Sequence, residues 1–259
     1  MRSTLLCAAL FAFALPLFGS GSDDPALIRG DAYYRAMDNA KALQEYEVAL
    51  KLDSTDFNAL ARLVRIYNDL GRLELRSHHG GEEYHEKSIT YADELLKYHP
   101  DRAETYFWLA LSYGSLARYK GISEKVRLGK VAREYAEKAV SMDSTFSMSY
   151  VVLGIFYREA ARLSWLEKIL VRAVFGANFQ GTYAESEQMF RRAIDLDEGN
   201  IFAHYELAIT YRAMGLREKA LQELRIASQL PVVGLREEAQ RQDAAARLAR
   251  WSAAPTPSQ

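Results

Sequence analysis

The chain has 259 residues, 49% of them hydrophobic and 26% charged, with a formal net charge of −1. That is enough apolar material for one sizeable domain or a short solenoid. Acidic and basic residues are interspersed, so the basic stripe that marks a nucleic-acid binder is missing and no nucleic-acid partner is expected.

In chain order, the first 22 residues stand apart. Arg2 precedes an apolar run from Leu5 to Phe18, then Gly19, Ser20, Gly21 and Ser22. A basic start, a short apolar stretch and small residues read as a secretory signal cleaved after Ser22. The run is short for a membrane span. The expectation is an exported protein, periplasmic or secreted, able to touch a membrane surface without spanning it. A retained anchor is the alternative. Cys7, the one cysteine, lies early in the run behind Leu6, unlike a lipoprotein cleavage site. Without it the chain has no disulfide and is held by packing.

From residue 23 to 251 the spacing predicts an all-α solenoid. Tyr33, Tyr67, Tyr113, Tyr157 and Tyr211 fall at one place in a recurring helix-turn-helix pattern. The first interval is 34 residues, the tetratricopeptide (TPR) period; the later ones are 46, 44 and 54. About five helix pairs follow, each with small or apolar residues recurring on helix B: Ala42, Tyr46 and Ala49; Ser88, Ala92 and Leu95; Ala132, Ala136 and Ala139; Ser186, Phe190 and Ala193; Ala220, Leu224 and Ala227. Three- and four-residue spacing is that of amphipathic helices. Thr55, Asp101 and Thr145 are expected to start helix A of repeats two to four, with Asp101 and Glu104 as a capping box.

From the helix A tyrosine to the last helix B position is 16 residues in repeats one and five, and 28, 26 and 36 in the others. Insertions of 12, 10 and 20 residues therefore lie between helices A and B. The longest carries Leu163, Trp165, Leu166, Ile169, Leu170, Val174 and Phe175 and should form a helix stopped by Gly176. Its apolar face is expected to cover something. Leu235 to Trp251 reads as a capping helix, and 252–259 as a disordered tail.

The inserted segments carry a family likeness. Tyr119-Lys120-Gly121-Ile122, Ala136-Glu137-Lys138-Ala139, Leu153-Gly154 with Tyr157, Ser164-Trp165-Leu166-Glu167-Lys168-Ile169, Val174-Phe175-Gly176 and Thr182-Tyr183-Ala184-Glu185-Ser186 before Phe190 are the residues concerned. On these, the stretch from Tyr119 to Leu248 resembles the TPR domain of the regulator of microtubule dynamics family. The resemblance implies a non-enzymatic helical domain linked with microtubules, with membrane contact sites and, in one branch, with binding or transfer of anionic phospholipid. An export signal departs from that pattern and argues against tubulin as a partner.

TPR solenoids bind on the concave face of the A helices. Repeat two places Asn58, Ala61, Arg65 and Asn68 there, a polar end. The middle is apolar: Phe107, Leu111, Met148, Val151, Ile155, Phe202, Tyr205 and Ile209, with Arg158 and Arg212 one turn beyond. This composition does not suit a clamp for a peptide carboxylate. It suits a hydrophobic segment or amphipathic helix of a protein partner. The alternative is a phospholipid whose chains take the trough and whose head group takes the two arginines, since guanidinium forks onto phosphate. Equally, the inserted helix or the C-terminal helix could fill the trough.

Catalytic patterns are missing. His78, His79, His85, His99 and His204 are the only histidines. The cluster from His78 to Glu86 has no HExxH spacing and reads as a solvated loop rather than a metal site. His204 takes a packing position. No phosphate-binding glycine loop or nucleophile elbow is present. The expectation is a non-enzyme without cofactor or metal: a TPR scaffold for protein interaction, with lipid binding as the alternative.

Overall fold

A computed structural model describes residues 24–77, 80–175, 180–232 and 234–253. The signal-like segment 1–22, His78, His79, Gly176 and the tail from 254 lie outside the described residues. Twelve α-helices occur among the described residues: α1 Pro25–Arg35, α2 Asn39–Leu52, α3 Phe57–Ser77, α4 Glu82–Tyr98, α5 Ala103–Leu116, α6 Ile122–Met142, α7 Ser147–Arg162, α8 Trp165–Phe175, α9 Tyr183–Leu196, α10 Ile201–Ala213, α11 Arg217–Gln229 and α12 Leu235–Ala253. The antiparallel pairs α1/α2, α3/α4, α5/α6, α7/α9 and α10/α11 stack in order, with each A helix against the preceding B helix. This is the TPR-like solenoid read from the spacing.

The five helix B triplets explain why the pairs close. All fifteen residues are buried, most of them completely. Small residues let the helices approach, and in the first and fourth pairs a ring between them fills the crossing. Gly30 faces the Tyr46 ring, and Gly154 faces the Phe190 ring. The recurring tyrosines do a second job. Lys41 lies 5.4 Å from the Tyr33 ring centroid, Lys87 5.8 Å from Tyr67, and Lys219 5.4 Å from Tyr211. These lysines hold one helix B position once the 12-residue insertion is removed. Each such cation–π contact contributes about 0.5–1 kcal/mol.

Between repeats the chain turns on an aspartate. Asp53, Asp143 and Asp197 accept a backbone N–H two residues on, from Thr55 (2.8 Å), Thr145 (2.8 Å) and Gly199 (3.1 Å). A short carboxylate mimics a backbone turn in this way. The expected helix starts shift accordingly. Thr55 and Thr145 serve these turns, and Asp56 caps α3 instead, through Ala59 N at 2.7 Å. No box forms at Asp101, because α5 begins at Ala103 behind Arg102; Thr105 donates to the His99 carbonyl instead. Capping boxes form at Thr182 with Glu185 and at Ser164 with Glu167. They start the two helices that flank the last part of the longest insertion.

The three insertions take different forms. In repeat two they lengthen α3 and α4; in repeat three they become a 3₁₀ turn, Ala117–Tyr119, and a longer α6. In repeat four they add α8. Among the described side chains, the expectation that α8 covers something is met in part. Val171 is buried, while Trp165, Leu166 and Ile169 are 74%, 53% and 54% exposed. α8 rests on α6; the side chains of Leu170, Val174 and Phe175 lie outside the described residues. Trp165→Phe should therefore remove the component of tryptophan emission most easily quenched by acrylamide. Unfolding free energy should stay within about 0.5 kcal/mol. Unchanged quenching would mean that this face is covered.

His85 corrects the reading of 78–86 as a solvated loop: it lies in the first turns of α4, 3% exposed. Its ring packs on Gly71, where a Cβ would come within 2.6 Å of Nε2. Nδ1 lies 3.2 Å from Asn68 Oδ1. The Asn68 amide nitrogen donates to Val64 O and Ser112 Oγ, so Nδ1 carries the proton of a neutral ring. Burial, with Arg118 and Arg236 nearby, lowers the imidazole to about 4. Unfolding restores an ordinary value of about 6.5. The unfolded chain then binds the extra proton between those values, so stability is complete above pH 6.5 and falls toward pH 4. Urea titrations should show about 2 kcal/mol lost from pH 7.5 to pH 5 through this residue. His85→Gln should remove that part of the slope; an unchanged slope would refute the assignment.

Candidate partner-binding groove

Eight of the ten residues singled out by spacing belong to one hydrophobic core, and the two arginines lie outside it. Phe107, Met148, Val151, Phe202 and Tyr205 are buried, and Leu111, Ile155 and Ile209 are partly buried against the same core. Phe107 sits edge-on to Phe146, with centroids 5.2 Å apart. Met148 meets the Asn200 side chain across the α7/α10 contact. These side chains thus join neighbouring repeats.

The two arginines have partners within the chain. Arg158 is 6% exposed. Its Nη1 lies 2.6 Å from Glu206 Oε2 and 3.1 Å from the Glu206 carbonyl, and Nε reaches Glu159 at 3.3 Å. Burial disfavours its charge, but Glu206 and Glu159 outweigh that and hold the guanidinium above its ordinary range. Arg212 is exposed and lies 5.6 Å from the centroid of Trp251 on α12.

The groove's first repeats hold a polar network. Asp31 takes Arg62 in a fork (2.7 and 2.9 Å), Arg65 at 3.3 Å and the Tyr46 hydroxyl at 2.8 Å. Burial would raise the Asp31 carboxyl, but Arg62, Tyr46 and Arg65 bring it below the usual range. Arg65 also stacks 3.9 Å from the Tyr34 ring, and the Tyr34 hydroxyl donates to Asp69 at 2.8 Å. Asp69 is 3% exposed; burial, and Glu237 of α12, raise its carboxyl.

α12, expected as an end cap, packs on α11 and α10 of the last pair and also crosses this face. A Cβ on Gly234, just before it, would strike the Tyr34 ring of α1. Arg236 lies 3.7 Å from Asp69 on α3 and 4.6 Å from the Phe202 ring on α10. Gln240, fully buried, accepts from Arg72 of α3. Arg247 Nε donates to Tyr205 Oη at 2.8 Å. Arg217 of α11 donates to the Trp251 and Ser252 carbonyls at the end of α12. α12, one of the two segments able to fill the trough, enters it.

Spacing alone did not single out Asp69, Arg236, Gln240 or Arg247. A signal was available. Arg236, Gln240, Ala244, Leu248 and Trp251 recur at four- and three-residue spacing, a stripe that mixes polar and apolar residues as a helix does when it packs on a polar-edged groove.

Among the described residues no three His, Cys, Asp or Glu side chains cluster as metal ligands, and no helix is long and apolar enough to cross a membrane. A thermophilic TPR protein of Thermus thermophilus has a similar structure, with a TM-score of 0.62 at 19% identity, over 88% of this chain and 97% of that one. Human IFIT1, solved as a dimer with m7Gppp-AAAA, is similar with a TM-score of 0.54 at 16% identity, over 83% of this chain and 42% of that one. At such identities the likeness is one of fold. Regulator of microtubule dynamics protein 3 of Mus musculus is 28% identical over 185 residues, 71% of this chain and 39% of its own length. Regulator of microtubule dynamics protein 1 of the same organism is 24% identical over 196 residues, 75% and 63% of the two chains. This chain therefore spans well under half the length of the first of these relatives. The family model for regulator of microtubule dynamics proteins 1-3 matches residues 27–252, and the chain belongs to that family.

Proposed function

We propose that this protein is a non-catalytic TPR scaffold that holds a helical segment of a protein partner in its concave groove. One observation carries the reading: the groove already receives a helix, with guanidinium groups over Phe202 and Tyr205. The floor residues Leu111, Ile155 and Ile209 supply the apolar part of such a contact, and TPR folds bind helices and extended peptides on this face. The phospholipid alternative needs Arg158 and Arg212 for a head group. Arg158 is engaged by Glu206, and Arg212 lies against Trp251, so the geometry favours the protein partner.

The test is a photo-reactive side chain at Ile209, with exposed Gln188 on α9 as control. Cross-linking to a protein at 209 and not at 188 is expected. Cross-linking to lipid alone, or equally at both positions, would count against the scaffold.

We also propose export, on the basic start, apolar run and small residues of 1–22. The purified protein should then begin at Asp23 on N-terminal sequencing. A chain beginning at Met1 or Arg2 would refute cleavage and bring cytosolic partners, such as the microtubules in the relatives' name, back into consideration.

A further inference from the structure

Resting on the scaffold reading, we infer that the groove recognises a basic helix with two arginines eleven residues apart, and that α12 occupies this site in cis. A partner helix with the pattern Arg-x3-Gln-x3-Ala-x2-Arg-x3-Trp, that of Arg236, Gln240, Ala244, Arg247 and Trp251, competes with α12 for it.

Two receptor points set the spacing. The first is the Asp69 carboxylate beside the Phe202 ring, which together face the Arg236 guanidinium. The second is Tyr205, whose hydroxyl and ring both take Arg247. Eleven residues of α-helix span about 16 Å, or three turns, and keep both arginines on one face. Between them only small or flat groups fit, since Gln240 and Ala244 are fully buried. Asp69 gives the preference for a cation. With α12 away, its carboxylate would keep the Tyr34 hydroxyl but lose the arginine opposite it.

α12 is an imperfect occupant, which is what makes competition possible. Asp69 Oδ1, Glu237 Oε2 and Gln240 Nε2 are buried with no hydrogen-bond partner within the chain, and Arg236 stands 3.7 Å from Asp69 Oδ1. Orphaned groups of this kind weaken an interface. Glu237 also brings a second negative charge to Asp69. A partner with a neutral residue at the position of Glu237 lacks that repulsion and binds more tightly than α12's own sequence.

The test uses the full chain and a labelled synthetic peptide of residues 235–253. In a full-length variant carrying Arg236→Glu and Arg247→Glu, α12 loses both contacts. Fluorescence anisotropy should then show the peptide binding roughly tenfold or more tightly than to the unmodified chain. Glu237→Gln in the peptide should strengthen binding several-fold. Asp69→Asn in the receptor, or both arginines reversed in the peptide, should weaken it at least about tenfold. A variant folded by circular dichroism that fails to bind the peptide overturns the inference, as does binding indifferent to Asp69 and to the two arginines. Should the double variant not fold, hydrogen exchange on the isotope-labelled unmodified chain decides. Excess peptide must speed exchange of α12 amides, and no change overturns the proposal. A partner cross-linked at Ile209 whose bound segment lacks the arginine pair would also overturn it, while leaving the scaffold reading intact.

Discussion

Phe190→Ala should lower the free energy of unfolding by about 3–5 kcal/mol, the cost of emptying a fully buried ring site. Phe190 has no exposed surface and fills the crossing of α7 and α9. Gly154 on α7 is its counterpart. A Cβ there would lie 2.6–2.8 Å from three atoms of the Phe190 ring. Gly154→Ala alone gains up to about 1 kcal/mol of helix propensity. Overpacking against the ring should outweigh this, for a net loss of about 1–2 kcal/mol. The double variant carries the sharper expectation. With the ring gone, the alanine methyl enters the space left behind and the propensity gain survives. The pair should therefore be less destabilised than the sum of the single changes, by about 1–2 kcal/mol. Urea titration of the four proteins measures this directly. Effects that add within about 0.3 kcal/mol would show that the α7/α9 crossing is looser than its geometry.

That crossing was legible in the sequence, and the groove was legible only in part, for one physical reason. The recurrence of small and apolar residues on helix B is local and periodic, so Ala42, Tyr46 and Ala49 and their four counterparts read as buried from spacing alone, and all are buried. The inward faces of the A helices follow from the same periodicity, and Phe107, Val151 and Tyr205 are buried in one core. What periodicity does not carry is the partner across a long loop. Glu206 lies 48 positions from Arg158, and Gln240 lies 168 from Arg72. α12 reads equally well as a cap or as a groove helix until Asp69 and Tyr205 are brought beneath it. α8 shows the converse. Its apolar pattern implied burial, yet Trp165 and Ile169 point outward. At the helix starts the error was small, because Asp53 and Asp143 use their carboxylates to build the turn and move the first helical residue along.

Glu206→Ala should be nearly as damaging as Phe190→Ala, costing about 3 kcal/mol, because it strands a buried cation. The Arg158 side chain is 7% exposed and that of Glu206 19%. Their 2.6 Å contact compensates a guanidinium that water no longer solvates. Without the carboxylate, Arg158 keeps the backbone carbonyl of residue 206 and the more exposed Glu159, which together supply less than a full counter-charge. Removing both charges is a different matter. Arg158→Met with Glu206→Leu trades a desolvated pair for apolar volume, and such exchanges are often neutral or stabilising by about 1 kcal/mol or more. Arg162→Ala serves as the surface control. Its bridge to Glu159 is 56% and 37% exposed, so its loss should cost under about 1 kcal/mol and shrink further in salt. The same set bears on what the groove holds. If Arg158 serves the fold, the Met/Leu pair remains stable and keeps its protein cross-link at Ile209. If Arg158 instead gripped a phosphate head group, that stable variant would lose bound phospholipid in native mass spectrometry, and the scaffold reading would give way to the lipid one.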